Sequence, residues 1–501
     1  MNHALILPVL LPMVAGSLLL FAARLPLAQQ RLLSVLSTLS LLLVSLWLLR
    51  LADGGQLHSY ALGNWQAPFG IILLLDRLSA LMLTVTAVLA LFAVLYAVRG
   101  DDTRGSNFHA LFQFQLMGIN GAFLTGDLFN LFVFFEILLI ASYALLLHGG
   151  GGERVRAGIH YVVLNLLGSS LFLIAVGMMY GITGTLNMAD LAVKVAAASP
   201  DDAALMGAAG LLLLVVFGLK AAFLPMYFWL PRAYAAASAP VAALFAIMTK
   251  IGLYSIMRVY ILIYGEQAGS IANLAADWLW PLALLTIVCG VLGALAAVTL
   301  QGLLAYLVVV SVGTLLAGIA LGTPEALSAA LFYLVHSTWI TGALFLIVDL
   351  ISRQRGEKAG RLIQGPALLQ PLRLSALFFI GAIAIAGLPP FSGFLGKLLL
   401  LRAVEPGLQA LLLWPVLLLG GLLTLVALSR AGSTVLWRTG RDVLGSAEGD
   451  SGRTLAAAGL LLMVVLLLPF AAPLLSYMDA TAAQLFDLGP YMQLVSAGEP
   501  S

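Results

Sequence analysis

The chain has 501 residues, of which 62% are hydrophobic and only 9% charged. Soluble domains carry roughly 25% charged residues, so the composition excludes an ordinary soluble protein and describes a polytopic membrane protein. The single cysteine, Cys289, rules out an internal disulfide and any metal or iron–sulfur centre built on cysteine, and a formal net charge of +2 gives no footprint for a nucleic-acid partner.

Apolar runs of roughly 18 residues or more mark spans. They fall near 3–23, 30–51, 71–98, 107–126, 128–147, 159–181, 205–229, 240–264, 275–298, 301–321, 325–349, 374–404, 408–430 and 455–476, which makes about fourteen helices in an all-α fold. No basic region precedes the first run, so it reads as a retained span and not a cleaved signal. The third and twelfth are long, and GLPPFSGF interrupts the twelfth. With loops numbered from the N-terminus, odd loops carry sixteen Lys and Arg, from Arg24 to Arg453, while even loops and their flanks carry only Arg50, Lys194, Arg258 and Arg402. That bias places odd loops in the cytoplasm and both termini outside. The longest loop, 182–204, holds Asp190, Asp201 and Asp202 and reads as external; the basic connections 351–373 and 431–454 read as cytoplasmic. About 25 residues follow the last span as a short external tail. HGGGGERVR at 148–156 is a loop between spans, lacking the Lys-Ser/Thr and the preceding strand that a phosphate loop needs.

Four basic residues, Arg77, Lys220, Lys250 and Lys397, lie within spans. A lysine at mid-membrane costs several kcal/mol unless it faces water or a partner. Between Lys220 and Lys250 stand Pro225, Pro231 and Pro240, and a proline in a span frees backbone groups that protein or water must satisfy. Glu136, in GDLFNLFVFFEILLIASY, lies roughly 12 Å of helix into its own span, where it needs a cation. Lys220 and Lys250 are the available cations. A Glu–Lys pair whose spacing can change is a proton switch, because separation weakens the lysine's hold on its proton; the same pair held still only fixes helix packing. His336, in ALFYLVHSTWITGALF, is also mid-span and is either a relay through its two ring nitrogens or a satisfied hydrogen-bonder. Lys397 follows Pro389 and Pro390 as Lys220 neighbours Pro225, and two broken helices in two halves of a chain point to inverted repeats with an ion path at their interface. Asp76 and Arg77 read as an interfacial pair opening the third span. Asp127 and Asp349 sit near span ends, where hydration is cheap. Asn130 and Asn165 either bond between helices or line a wet path.

GDLFNLFVFFEILLIASY, FGLKAAFLPMYFWLPRAYAAASAPVAALFAIMTKIGLYSIMRV and GLPPFSGFLGK together resemble the antiporter-like membrane subunits over about residues 70–430. That superfamily covers the large proton-pumping subunits of respiratory complex I (NADH:quinone oxidoreductase), membrane-bound hydrogenases and the Mrp-type (Mnh, Pha) multisubunit cation/proton antiporters. LPRAYAAASAPVAALFAIMTK and GLPPFSGFLGK look most like the D subunit of the Mrp type. The resemblance implies fourteen helices: three N-terminal ones over 1–106, two inverted five-helix repeats over 107–264 (helices 4–8) and 275–430 (helices 9–13) with discontinuous helices 7 and 12, and a final helix with its flanks over 431–501. It implies a hydrated axis on which Glu136 and Lys220 form the regulating pair, Lys250 the central relay and Lys397 the outlet-side group. Two positions depart from many relatives: Ile340 stands where they carry a lysine four residues after the histidine, and Tyr234 where they carry a histidine.

The function this implies is proton translocation in a multisubunit Na⁺(K⁺)/H⁺ antiporter of a bacterial inner membrane, with the other Mrp subunits, protons, Na⁺ or K⁺ and the bilayer as partners. The alternative is a proton-pumping subunit of a redox-driven complex. No cofactor motif, nucleotide site or nucleophile constellation marks the chain as an enzyme.

Overall fold

The computed structural model describes residues 3–21, 25–65, 67, 70–444 and 450–496; Arg24, the end of the first expected span, part of the 431–454 loop and the last five residues lie outside them. Helices α1 (Leu7–Phe21) and α2 (Leu27–Asp53) lead into an antiparallel hairpin of β1 (His58–Ala61) and β2 (Ile72–Leu75), with His58 opposite Leu75. Next come α3 (Arg77–Ala97), α4 (Phe108–Leu124), α5 (Leu128–Leu147), α6 (Gly152–Thr183), the short α7 (Met188–Ala196) and α8 (Pro200–Ala221). After a break follow α9 (Trp229–Ala236), α10 (Ala239–Phe245) and α11 (Met248–Met257), the last continuing as a wide turn over Arg258–Ile263. The second half is α12 (Ala276–Ala296), α13 (Leu300–Ala320), α14 (Pro324–Gln354), α15 (Pro371–Ala386), α16 (Ser392–Ala403), α17 (Leu408–Gly432), α18 (Ser451–Leu466), α19 (Ala471–Phe486) and α20 (Gly489–Ser496). A short parallel pairing of β3 (Gly365–Ala367) with β4 (Thr439–Leu444) ties two connections together.

Eleven helical stretches among the described residues are long and apolar enough to cross a membrane, and α18 with α19, bent by 75°, would make a twelfth. Two of the fourteen expected spans fall outside that set: at 107–126 the helix α4 has 17 residues and includes Gln113, Gln115 and Asn120, and at 374–404 the chain forms the shorter helices α15 and α16. Three expectations are corrected. The third span starts at Arg77 and not near 71, because the apolar residues 72–75 pair as β2. The 182–204 loop contains α7. The residues after 476, expected as a tail, are helical through Ser496 and fold back on the bundle, where Tyr477 Oη donates to the Arg77 carbonyl at 2.9 Å.

The stretch Ala239–Ile263 and the central part of α14 are buried almost completely, with α3 and α13 nearly so; α2, α6 and α17 turn much of their apolar surface outward. Several helix starts are closed by side-chain caps, which satisfy amide groups that an apolar surround would leave stranded. Asp76 accepts from the Ser79 amide, Asp127 from Asn130, Thr299 from Gly302 and Asp450 from Gly452. Of the three prolines between the lysines, Pro231 and Pro240 fall in the first turns of α9 and α10, where a missing N–H costs nothing. Pro225 lies in the irregular segment 223–228, and Pro389 and Pro390 lie between α15 and α16. Groups freed at the first break are re-satisfied: the Leu224 amide donates to Thr286 Oγ1 at 2.9 Å, and Trp229 Nε1 donates to the Leu219 carbonyl at 3.0 Å.

One end of the bundle is tied by charge. Arg353 donates to Asp349 at 2.5 Å and to Asp101 at 2.7 Å, and Tyr96 Oη donates to Asp349 at 2.7 Å, which joins the end of α14 to the end of α3. Nearby, Arg31 of α2 grips Asp102 with bonds of 2.6 and 2.8 Å, and His109 Nε2 lies 3.1 Å from the same carboxylate. Burial alone would raise the Asp102 carboxyl, but the bonds from Arg31 and His109 outweigh it and hold the group down to about 2. Its folded-state value lies below the unfolded one, near 4. The tether's contribution is therefore complete above about pH 4 and is lost as pH falls toward 2. Thermal melts of the membrane-embedded protein between pH 6 and pH 3 should show part of the low-pH loss of stability, and Asp102→Asn should melt lower at pH 6 while losing less between pH 4 and pH 3.

Candidate functional site

The five ionisable residues expected along the axis all lie inside the bundle. Lys250 and His336 are fully buried, Lys220 nearly so, while Glu136 and Lys397 are half-buried. Each has a hydrogen-bond partner on another helix or across a break. Glu136 on α5 accepts from Ser169 Oγ of α6. Lys220, in the last turn of α8, donates to the Oδ1 and carbonyl oxygen of Asn165 at 3.3 and 3.5 Å, with its ammonium 5.6 Å above the Phe135 ring. Lys250 on α11 donates to Ser311 Oγ of α13 at 3.3 Å. His336 Nδ1 on α14 lies 2.8 Å from Ser392 Oγ of α16. Ser392 Oγ in turn donates to the Val464 carbonyl at 3.2 Å. Lys397 donates to the Ala386 carbonyl, freed at the end of α15, at 2.9 Å.

Glu136 and Lys220, expected as a pair, are not in direct ion-pair contact; both bond to α6 instead. Asn165 is thereby a lysine partner. Asn130 bonds Thr125 Oγ1 at 2.9 Å near the start of α5. Lys397 borders a cavity of about 370 Å³ with Leu388, Phe394, Trp414 and Leu418, open at the outer face between α16 and α17. Gly387, which ends α15 with a left-handed φ of +83°, leaves room for this lysine: a Cβ there would come 2.8 Å from Lys397 Cδ. Ile340, the position without a lysine, is buried in α14. Tyr234 donates to the Phe245 carbonyl at 2.6 Å, a group freed where α10 gives way to α11 at Ala246 and Ile247. That discontinuity lies one turn before Lys250, and no proline or glycine marks it in the sequence.

A second charged centre carries no mark in the residue pattern. Asp76, expected to pair with Arg77 at the interface, is buried and faces Arg258, which grips both its oxygens at 2.5 and 2.6 Å. Tyr491 of α20 donates to the same carboxylate at 2.6 Å. Arg77 reaches the Asp53 carbonyl instead, at 2.6 Å. Arg258 Nε donates to Tyr254 Oη at 2.9 Å, and Tyr254 donates to the Phe123 carbonyl at 2.6 Å. Lys250, Tyr254 and Arg258 are each four residues apart, so they stand on one face of the helix. Among the described residues, no group of His, Cys, Asp and Glu could hold a metal ion.

A polytopic helical bundle carrying buried, mutually spaced ionisable groups beside broken helices has the architecture of a membrane transport subunit. The family model described as NADH:quinone oxidoreductase/Mrp antiporter, transmembrane, matches residues 125–424, and the chain belongs to that family. It is 42% identical to the probable K(+)/H(+) antiporter D subunit of Rhizobium meliloti (strain 1021), over 97% of this chain and 96% of that one. It is 36% identical to the Na(+)/H(+) antiporter D subunit of Bacillus subtilis (strain 168), over 99% of both chains. Among solved structures, it resembles a chain of the Mrp complex from Dietzia sp. DQ12-45-1b, with a TM-score of 0.87 and 28% identity over 99% of this chain and 100% of that one. It also resembles a chain of the membrane-bound sulfane sulfur reductase, an archaeal respiratory membrane complex, with a TM-score of 0.88 and 26% identity over the same shares.

Asp76 and Arg258 are 182 residues apart in sequence and fully paired in the core. Removing one partner of such a pair strands the other charge, at a cost of about 3–5 kcal/mol, whereas replacing both with apolar groups costs much less. Asp76→Ala or Arg258→Ala should lower the melting temperature of the solubilised protein by several degrees, and Asp76→Leu combined with Arg258→Met should restore most of the loss.

Proposed function

We propose that this chain is the proton-translocating subunit of a multisubunit Na⁺(K⁺)/H⁺ antiporter, moving protons along Glu136, Lys220, Lys250, His336 and Lys397. The observation that carries the reading is that these five groups sit within the bundle on neutral partners, with no ion pair neutralising them among the described residues. A static structural charge is normally paired, as Asp76 is with Arg258. Groups held singly by neutral hydroxyl and carbonyl oxygens are free to change partner and protonation state. The D-type relatives, named for K⁺/H⁺ and Na⁺/H⁺ exchange, support the coupled cation and the multisubunit setting.

On this reading the chain works in a bacterial inner membrane with the other antiporter subunits. The sixteen basic residues in odd loops against four in even ones support a cytoplasmic face at the Asp101 end and an external face at the Asp76 end, with both termini external. Helices α4 to α11 and α12 to α17 would form the two inverted repeats, each with one proline-broken helix. The fold similarity to a respiratory membrane complex supports a second reading, in which electron transfer elsewhere drives the same path.

Inverted vesicles from an antiporter-deficient strain expressing the whole complex separate the two. Addition of Na⁺ or K⁺ should collapse a preformed pH gradient with the wild-type chain, and Glu136→Ala and Lys220→Ala should abolish the response. Proton movement that ignores both cations and appears only with an electron donor would assign the chain to the redox-driven class instead.

A further inference from the structure

We infer that Asn165 and Ser169 of α6 are positioning residues that hold Glu136 and Lys220 apart and fix the resting place of each, an inference that rests on the proton-transfer role proposed for that pair. The two residues are four apart, hence on one face of α6 and roughly 6 Å apart along its axis. Each takes one member of the pair: Ser169 Oγ donates to Glu136, and Asn165 offers Lys220 two oxygens at 3.3 and 3.5 Å.

The Asn165 amide is held in one orientation. Its Nδ2 donates to the Tyr161 carbonyl, one turn back, at 2.9 Å, so Oδ1 turns to the ammonium. The residue before Ser169 is Gly168, and it makes the approach possible. A Cβ at 168 would come 2.5 Å from Leu219 Cδ2 and 3.9 Å from Lys220 Cε, so the end of α8 rests against α6 backbone at the level of the pair. Ser170 faces away: it is exposed, and its hydroxyl returns to its own helix at the Leu166 carbonyl, 3.1 Å away. The stretch Asn-Leu-Leu-Gly-Ser thus supplies a lysine acceptor, a gap and a carboxylate donor in one turn.

The arrangement gives the pair two states with defined partners. In the state seen here Lys220 is on Asn165 and Glu136 on Ser169. To close, Lys220 leaves Asn165 and moves about one turn along α6 toward Glu136, where it competes with the serine hydroxyl. Losing either α6 partner favours the closed pair, because the released charge has only its opposite left to bond. A hydrogen bond to a charged group is worth enough to shift such an equilibrium about tenfold or more.

In the assembled complex in vesicles, Ser169→Ala and Asn165→Leu should each slow cation-driven proton movement about tenfold or more at unchanged membrane abundance. Ser170→Ala should match wild type. Ser169→Thr, which keeps the hydroxyl, should recover most of the rate. The infrared carboxyl band that disappears in Glu136→Gln should shift in Ser169→Ala, return in Ser169→Thr and stay put in Ser170→Ala, which a mere packing role would not produce. Wild-type rates and an unmoved band in Ser169→Ala, alongside an inactive Glu136→Gln, would overturn the inference while leaving the pair's role intact. Normal transport by Glu136→Gln and Lys220→Ala would remove the pair's role and the inference with it. Ser169→Ala deletes a single oxygen, so the test survives even where Asn165→Leu fails to assemble.

Discussion

A charge inside an apolar bundle must have a polar atom to face, and a regular helix has none to spare because its backbone groups are already bonded. The structure meets this demand in two ways. In the first, a hydroxyl or amide from a neighbour serves: Ser169 for Glu136, Asn165 for Lys220 and Ser311 for Lys250. In the second, a helix break itself provides the atom. Ala386 at the end of α15 offers its carbonyl to Lys397, and Ser392 at the start of α16 offers its hydroxyl to His336. At the second break, therefore, the chain ends themselves supply the polar atoms that Lys397 and His336 require, whereas Lys220 beside the first break and Lys250 beside the α10–α11 discontinuity are served by the neighbouring α6 and α13.

The contrast with the Asp76 centre gives this design its functional sense. Asp76, Arg258, Tyr254 and Tyr491 satisfy one another almost completely and join α3, α11 and α20 into one end of the bundle. Such a centre has little freedom to exchange protons and much to do with holding position. Two turns along the same helix face, Lys250 has one neutral partner at 3.3 Å. One stretch of α11 thus carries both a locked charge and a loosely held one, and the discontinuity at Ala246 and Ile247, supported by Tyr234, sits beside the loosely held one.

Much of this was legible in the residues. Glu136, Lys220, Lys250, His336 and Lys397 stood out because ionisable groups are conspicuous in apolar runs, and Pro225, Pro389 and Pro390 marked two breaks because proline lacks an amide donor. The helical class followed from run length alone. What stayed hidden depends on three-dimensional neighbours. Asn165 and Ser169 are ordinary polar residues until α6 is laid against α5 and α8. Asp76 looks like the partner of adjacent Arg77 and finds Arg258 only through folding. The α10–α11 discontinuity involves Ala246 and Ile247, residues at home in any helix. Residues 72–75 are as apolar as the helix that follows, so composition could not show that they pair as a strand.

The central claim is that these buried charges carry protons and do not merely brace the bundle, and Lys250 tests it most directly because it is buried completely and held by one serine. The measurement is cation-driven proton flux in liposomes containing the whole reconstituted complex, wild type against Lys250→Met, with assembly checked on the same sample. The account predicts an assembled complex with no proton flux. Wild-type flux from Lys250→Met would contradict it and leave the lysines as structural elements of the bundle.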